Sequence, residues 1–448
     1  MSRPMKDSGI AWIGKIPDNW NVARLKDIKS NDRYAIVDGP FGTAISTSDY
    51  VDEGVPLVRI LNLGNPNVTN DNLVHITQEH AMTVQRSRFG IGDIIFAKTG
   101  ATIGKCAIND TIEYGILSSS CVKISIDSKF NNRFFYYLFL TNQFNTALRF
   151  ACVGTTRDTI NLSPFSCLPC ILPSPSEQSC IAAFLDRRCA EIDRIIEQTQ
   201  RTIEEYKKLK QSIITEAVTH GVRGRRKMKD SGVEWIGEIP EEWDTVKLKY
   251  FVTIRSGITL GKVYPSGTQL FEFPYLRVAN VQGGSVKLDD IATIMVTEEE
   301  SMKYRLQAGE LLMTEGGDRD KLGRGTVWHG EIEPCLHQNH VFALRSDAHK
   351  LLAEYIEFLS TSFVGRDYFD VTANQSVHLA STNSTTILNF MIPYPVIDEQ
   401  IEIVAFLNAK CTKIEQMIST KQRLITELEV YKKSVIYEYV TGKRAVPE

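Results

Sequence analysis

The sequence predicts an α+β chain in which two pseudo-repeated mixed α/β domains are joined by two long helices packed as an antiparallel coiled coil. Three observations carry this. One short motif occurs twice, at the head of two successive stretches of chain. Each stretch ends in a segment of about 40 residues without Pro or Gly and with helical apolar spacing. Between motif and helix, alternating β-branched and polar residues among many turn formers indicate mostly β structure.

The repeat is explicit. Residues 5–17 read MKDSGIAWIGKIP and residues 228–240 read MKDSGVEWIGEIP, with ten of 13 positions identical at an offset of 223. The match continues through Trp20/Trp243, Leu25/Leu248 and Lys26/Lys249. A second match begins at Glu177/Glu399 and holds a constant offset of 222 through Gln178/Gln400, Leu185/Leu407, Cys189/Cys411 and Thr219/Thr441. Self-similarity at a fixed period marks a duplicated architecture.

The matched C-terminal blocks read as helices. Pro173, Pro175, Pro393 and Pro395 stand just ahead of them, where proline is tolerated. Glu177 and Glu399 fall in the first turn, where the helix dipole favours an acid. Gly221 and Gly442 provide the stops. The apolar stripe of the first runs Leu185, Cys189, Ile192, Ile196, Thr199, Ile203, Tyr206, Leu209, Ile213, Ala217. That of the second runs Leu407, Cys411, Ile414, Ile418, Lys421, Ile425, Leu428, Tyr431, Val435, Tyr439. Steps of three or four residues suit a seam between two helices, and Thr199 and Lys421 put polar groups at one level of it. The alternative is that each helix packs only on its own domain.

Residues 31–165 and 255–385 share a looser plan: a strand from Val55 or Phe273, a Gly-acid strand start (GDIIFAKTG from Gly92, GELLMTEGG from Gly309) and an aromatic helix (FFYYLFL, AEYIEFL). One framework with two fillings suits a device that reads two different things.

Composition narrows the class. A chain of 448 residues with 43% hydrophobic and 23% charged residues is expected to be globular and multidomain. The longest apolar run, Phe134 to Leu140, is far short of the ~20 residues of a membrane span, and the N-terminus lacks an apolar signal core, so a cytoplasmic location is expected. A net charge of -3 excludes a generic nucleic-acid coater. Nine scattered cysteines are expected to be free thiols. Cys167 and Cys170 form a C-x-x-C, but aligning them with Ile387 and Phe390 argues for apolar core positions. Cys335, His337 and His340 lack a fourth ligand at a metal-site spacing, so no metal is expected.

These residues resemble the specificity subunit of type I restriction-modification enzymes. The resemblance rests on the proline pair leading into an E-Q-x-x-I-x-x-F-L type helix and on W-I-G-x-I-P-x-x-W. It rests also on DGPFGTAISTSDYVDEGVPLVRI (Asp38 to Ile60) and GGDRDKLGRGTVW (Gly316 to Trp328). It implies two target recognition domains, each reading one half of a split double-stranded DNA site. The helices would set the spacer and dock two methyltransferase subunits, with ATP-dependent motor-nuclease subunits completing the restriction enzyme. The chain then divides into a repeated N-terminal segment (1–30), a first recognition domain (17–175), a long helix (176–222), a basic linker with the repeated segment (223–239), a second domain (240–396) and a second helix (397–442).

No catalytic constellation accompanies this. There is no [DN]-P-P-[YF] tetrapeptide, no H-E-x-x-H and no G-x-S-x-G. The stretch Gly100-Ala-Thr-Ile-Gly104-Lys105-Cys106 misses a phosphate loop by one residue and by its Cys. The chain is expected to catalyse nothing alone and to hold no cofactor; S-adenosylmethionine, ATP and Mg are expected on partner subunits. Candidate DNA contacts are Lys98, Thr99, Lys105, Thr155, Thr156 and Arg157 in the first domain. In the second they are Arg319, Lys321, Arg324, Gln338, Asn339, His340, Asn374 and Gln375. Arg and Lys suit guanine edges or phosphates, and Asn and Gln suit adenine edges. The basic run Arg223, Arg225, Arg226, Lys227, Lys229 is open to two readings, a phosphate contact or a solvated linker. A self-sufficient enzyme and a protein-binding scaffold are the rival functions.

Overall fold

Both proline-led segments are helices, Pro175–His220 and Ile397–Val440. They belong to a computed structural model that describes residues 3–42, 44–153, 158–317, 322–375 and 380–447. Two compact units result, one from Met1–Thr199 with Arg423–Glu448, the other from Gln200–Gln422. Each long helix therefore gives one part to each unit. Among the described residues no helix is long and apolar enough to cross a membrane.

In the first unit a four-stranded sheet carries the core. Its order is Cys106–Ile108, Ile94–Ala97, Cys121–Ile124, Ile36–Asp38, all antiparallel. A second sheet sets Val55–Val58 between the antiparallel Val74–Ile76 and the parallel Gly115–Leu117. The second unit repeats both. Gly325–Val327, Leu311–Thr314, Val341–Ser346 and Val252–Ser256 form the same four-stranded order. Phe271–Leu276 lies between antiparallel Ala292–Val296 and parallel Leu336–His337. The first unit adds edge strands Tyr50–Val51 and Arg88–Phe89 to its second sheet. The fillings thus differ in sequence but share one strand order.

Buried polar residues fix this order in both units. Asn62 and Asn280, each almost fully buried, donate from Nδ2 to loop carbonyls of Asp71 and Asp290 and accept from the backbone N–H of Arg59 and Arg277. The acid that opens the central strand is also buried and paired. Asp93 meets Lys123 at 2.7 Å, and Glu310 meets Arg255 at 3.0 Å and Arg345 at 2.8 Å.

The long helices are tied down at their ends. In the first unit Trp20, fully buried, donates from Nε1 to Glu177 at 3.2 Å, and Arg3 pairs with the same carboxylate while lying 5.3 Å from the indole centroid. In the second, Trp243 donates to Glu399 at 2.9 Å, and Arg226 pairs with Glu399 and lies 5.1 Å from that indole. Gln178 and Gln400, both buried, follow: each Oε1 accepts a backbone N–H, from Asn131 and Leu352, and each Nε2 donates to the carbonyl of a preceding proline. The helix stops arrive at the same indoles. Gly221 (φ +74) and Gly442 (φ +69) adopt the left-handed conformation that favours glycine. A Cβ on Gly221 would fall 3.1 Å from Trp243, and one on Gly442 would fall 2.9 Å from Trp20.

Within each unit the two long helices touch. In the first, Phe184 packs tilted against Tyr439 with centroids 4.4 Å apart and Asp193 pairs with Lys432 at 2.6 Å, so the helices run in opposite senses. In the second, Lys210 pairs with Glu415. Leu185, Ile192, Ile203, Leu407, Ile414 and Val435 are buried, and Ile196, Tyr206, Ile213, Ile418, Ile425 and Leu428 are half-buried.

Three expectations change. Leu209, read into the apolar stripe, is 48% exposed, and Ile214 is buried instead, because the end of that helix turns its face to the core of the second domain beside Leu359 and Leu407. The C-x-x-C was aligned two residues out of register. Leu168 and Phe390 make the same backbone bond, to Leu25 and Leu248, so Cys167 matches Asn389 and Cys170 matches Ile392. Cys170 and Ile392 are core, while Cys167 caps a short helix and is exposed. The basic run is partly bound in ion pairs: Arg223 with Glu402 at 2.7 Å, and Arg226 with Glu399 and Glu242.

The two carboxylates are unequally buried, Glu399 at 2% side-chain exposure and Glu177 at 28%. Removing one partner of a buried ion pair costs about 3–5 kcal/mol, so Glu399→Ala should lower the urea midpoint well beyond Glu177→Ala. Equal losses would show that burial does not govern these links. Burial pushes the Glu177 carboxyl up, but donors from Arg3 and Trp20 outweigh it and hold it below its ordinary 4.5. Its stabilisation is present above that pH and is lost as pH falls below it. Acid titration of stability should therefore be shallower in Glu177→Gln than in the parent.

Candidate nucleic-acid interface

The central strands of the two four-stranded sheets end in matched loop clusters. In the first unit the strand Ile94–Ala97 runs into Lys98 and Thr99. The Lys98 N–H donates to Ser120 O at 2.7 Å, and its carbonyl accepts from Ile160 N–H at 3.0 Å. Thr99 bridges to Thr159, beyond a hairpin of Cys152–Val153 and Thr159–Ile160. Lys105, exposed, enters the neighbouring strand, where its carbonyl accepts from Ala97 N–H. These three candidates therefore meet at one end of the sheet. Thr155, Thr156 and Arg157 lie outside the described residues.

The Lys98 side chain is held rather than loose. Its ammonium meets Asp38 at 2.5 Å, and Asp38 also takes Arg86 at 2.8 Å. Gly39 follows Asp38 under a tight constraint, because a Cβ there would lie 1.8 Å from Ser118 O. Asp38 and Arg86 were not picked out from the sequence, since nothing local links them to Lys98. Gly100–Gly104 is a turn and not a phosphate cradle. It packs its second glycine against Asn145, and Cys106 is a buried strand residue whose thiol burial pushes up.

In the second unit the strand Leu311–Thr314 runs into Glu315. The Glu315 N–H donates to His340 O at 2.9 Å, and its carbonyl accepts from Thr382 N–H at 2.7 Å. The Glu315 carboxylate accepts from His340 Nδ1 at 2.5 Å. Asn339 is fixed through its backbone, its carbonyl accepting from Ser256 Oγ at 2.8 Å. Gln338 turns inward, its Oε1 accepting from Val278 N–H. Asn374 and Gln375 form a strand antiparallel to Ala380–Ser381, which also pairs with Gly316–Gly317 beside Glu315. Arg319 and Lys321 lie outside the described residues.

Arg324 occupies the position equivalent to Lys105, preceding the edge strand Gly325–Val327. It is half-buried and lines a cavity of about 470 Å³ with Lys207, Lys210, Glu357 and Cys411. Burial pushes the Glu357 carboxyl up to about 7. His337 is framework: burial lowers it to about 4, opposed by the bond from Nδ1 to Val341 O. Cys335 is buried beside it, whereas His340 is exposed and faces Glu315. Glu315 is the residue that sequence reading missed. The signal was present in the aligned strand starts, GDIIFAKTG against GELLMTEGG, which set it opposite Lys98.

Comparison with known proteins agrees with this architecture. Residues 17–205 match the family model for the type I restriction modification DNA specificity domain. The chain is 24% identical over 450 residues, 96% of its length and 94% of the relative's, to the type I restriction enzyme MjaVIII specificity subunit of Methanocaldococcus jannaschii. It is 22% identical to the EcoKI specificity subunit of Escherichia coli K12, over 87% of this chain and 82% of that one. A putative MjaX specificity subunit from the same archaeon is 26% identical over 208 residues, 46% of this chain and 47% of the relative. Among solved structures, one describing complex assembly and conformational transition of a type I R-M system aligns over 96% of this chain and 99% of its own at TM-score 0.71 and 16% identity. The HsdS subunit from Thermoanaerobacter tengcongensis aligns over 96% and 98% at TM-score 0.50 and 17% identity. On its repeated architecture and these matches, the chain is similar over nearly its whole length to type I restriction-modification specificity subunits, and residues 17–205 match their DNA specificity domain.

Proposed function

We propose that the chain is the sequence reader of a type I modification complex, each unit reading one half of a bipartite, asymmetric DNA site. The observation that carries this is one strand order built twice, with unlike residues at the ends of the two central strands. Identical fillings would read an inverted repeat, as twofold symmetry requires. The two long helices act as an antiparallel coiled coil and as a ruler. At about 1.5 Å per residue they are long enough to hold two readers at least one DNA turn apart, ~34 Å.

The chain works with partners. Its net charge of -3 cannot drive strong binding through phosphates. Two methyltransferase subunits dock at pseudo-equivalent places and bring S-adenosylmethionine. Motor-nuclease subunits bring ATP and Mg, and this chain contributes no catalytic group or cofactor. The docking surface is the outer face of the helices, where Leu209, Ile401, Phe406 and Val430 are exposed. Trp12 and Trp235 act as fasteners within their domains, each half-buried against an aromatic, Phe144 and Tyr368.

Single-molecule sequencing of host DNA modified by the assembled complex should show a two-part, asymmetric methylated motif. A continuous or symmetric motif would refute the reading. Adding one turn, about four residues, to both helices near Tyr206 and Ser419 should lengthen the spacer by ~6 Å, close to two base pairs. Both half-sites should survive; an altered half-site, or an unchanged spacer in an active complex, would refute the ruler. Native mass spectrometry should find two methyltransferase copies per chain, and methyl transfer by the isolated chain would contradict the division of labour.

A further inference from the structure

Lys98 and Glu315 stand at one structural position with opposite charge. Each follows the central strand of its sheet, each donates its N–H to a carbonyl of the neighbouring strand turn (Ser120, His340), and each accepts at its carbonyl from a residue more than 60 positions further along the chain (Ile160, Thr382). Register confirms the equivalence, since Ala97 pairs with Cys121 and Thr314 with Val341. Elsewhere the framework keeps four charges, at Arg3 and Arg226, Glu177 and Glu399, Asp93 and Glu310, and Lys105 and Arg324, while by register Ser256 stands where the first unit has Asp38 and Ala343 where it has Lys123. The backbone tolerates either sign after the central strand, and each sign comes with its own partner, Asp38 for Lys98 and His340 for Glu315.

We propose that these two residues read bases, and that the two units read opposite hydrogen-bond polarity: Lys98 the acceptor edge of a guanine, Glu315 the exocyclic amino group of a cytosine or adenine. This rests on the reading of the two units as DNA readers.

Both side chains are pre-set by a neighbour. Lys98 gives one ammonium proton to Asp38, which leaves two donors for guanine O6 and N7. Arg86 shares Asp38, so two cations surround one carboxylate and the cluster is net positive. Glu315 takes His340 Nδ1–H on Oε2, which leaves Oε1 to accept from an amino group. The Glu315 carboxylate gives this cluster the sign opposite to that around Lys98. A surface of that sign opposes phosphate, so its stabilising contact with DNA is a donor on a base edge. Lys98 is about one-sixth exposed and Glu315 about one-third, enough for contact yet packed enough to hold direction.

The test uses the full chain assembled with its methyltransferase subunits, with the methylated motif read from host DNA. Lys98→Gln should relax one guanine position in one half-site by roughly ten- to a hundredfold in preference, leaving the other half and the spacer intact. Lys98→Arg, which keeps the donors, should retain that guanine. Glu315→Gln should relax one cytosine or adenine position in the other half-site only. A parent complex with no bipartite motif would overturn the two-reader reading itself. A bipartite parent motif unchanged in both Gln variants would overturn the polarity assignment alone. A Gln variant that no longer assembles would make its residue structural and overturn its assignment as a reader.

Discussion

Each unit is organised around one buried indole that must satisfy a single N–H. Trp20 and Trp243 do so on the carboxylate in the first turn of a long helix, and each carboxylate is balanced by an arginine lying along the same ring. Three requirements are met together. The indole proton has an acceptor, the partly dehydrated carboxylate has a cation, and the first-turn N–H groups of the helix have a negative charge before them. Because the other long helix ends in a left-handed glycine against the same ring, the indole also fixes where that helix stops. The direction of both helices out of a unit follows from this contact, and the strand ends that carry the variable residues are built on the core that surrounds it.

The repeated parts of this arrangement were legible in the sequence because they rest on local or periodic signals. Prolines, the acidic first turn, the three-or-four spacing and the glycine stops place the helices within two residues of their observed bounds. The common sheet order was not legible. Ile36–Asp38 pairs with Cys121–Ile124, and Val252–Ser256 with Val341–Ser346. Pairings across so many residues leave no local trace, and alternation alone does not choose a partner. Leu209 and Ile214 show a similar limit. A heptad describes a helix against one neighbour, whereas here the last turns face a globular core, and the buried stripe rotates by one residue.

The candidate interface was legible by residue type and not by connection. Lys98, Lys105 and Arg324 stood out as basic residues beside glycines, and their positions near strand ends follow from that setting. Their partners come from elsewhere in the chain: Asp38 and Arg86 for Lys98, Glu357 beside Arg324 in the cavity. Glu315 escaped notice because an acid conflicts with the charge expected of a DNA contact. The duplication supplies the control that a single domain lacks, since two copies of one backbone separate what the fold requires from what it merely permits.

The two units also differ in how the chain supplies them. The second is drawn from one uninterrupted stretch, Gln200–Gln422, while the first needs Arg423–Glu448 to return to it, with Val435, Tyr439 and Val440 in its core beside Leu185. During synthesis, at about 5–20 residues per second, the half made first is therefore the half completed last. Until residues 423–448 leave the ribosome, Ile181, Leu185 and Cys189 lack the partners that share their core. The segment 423–448 thus completes a core begun in the first half of the chain, and without it Ile181, Leu185 and Cys189 would lack the Val435, Tyr439 and Val440 that share that core.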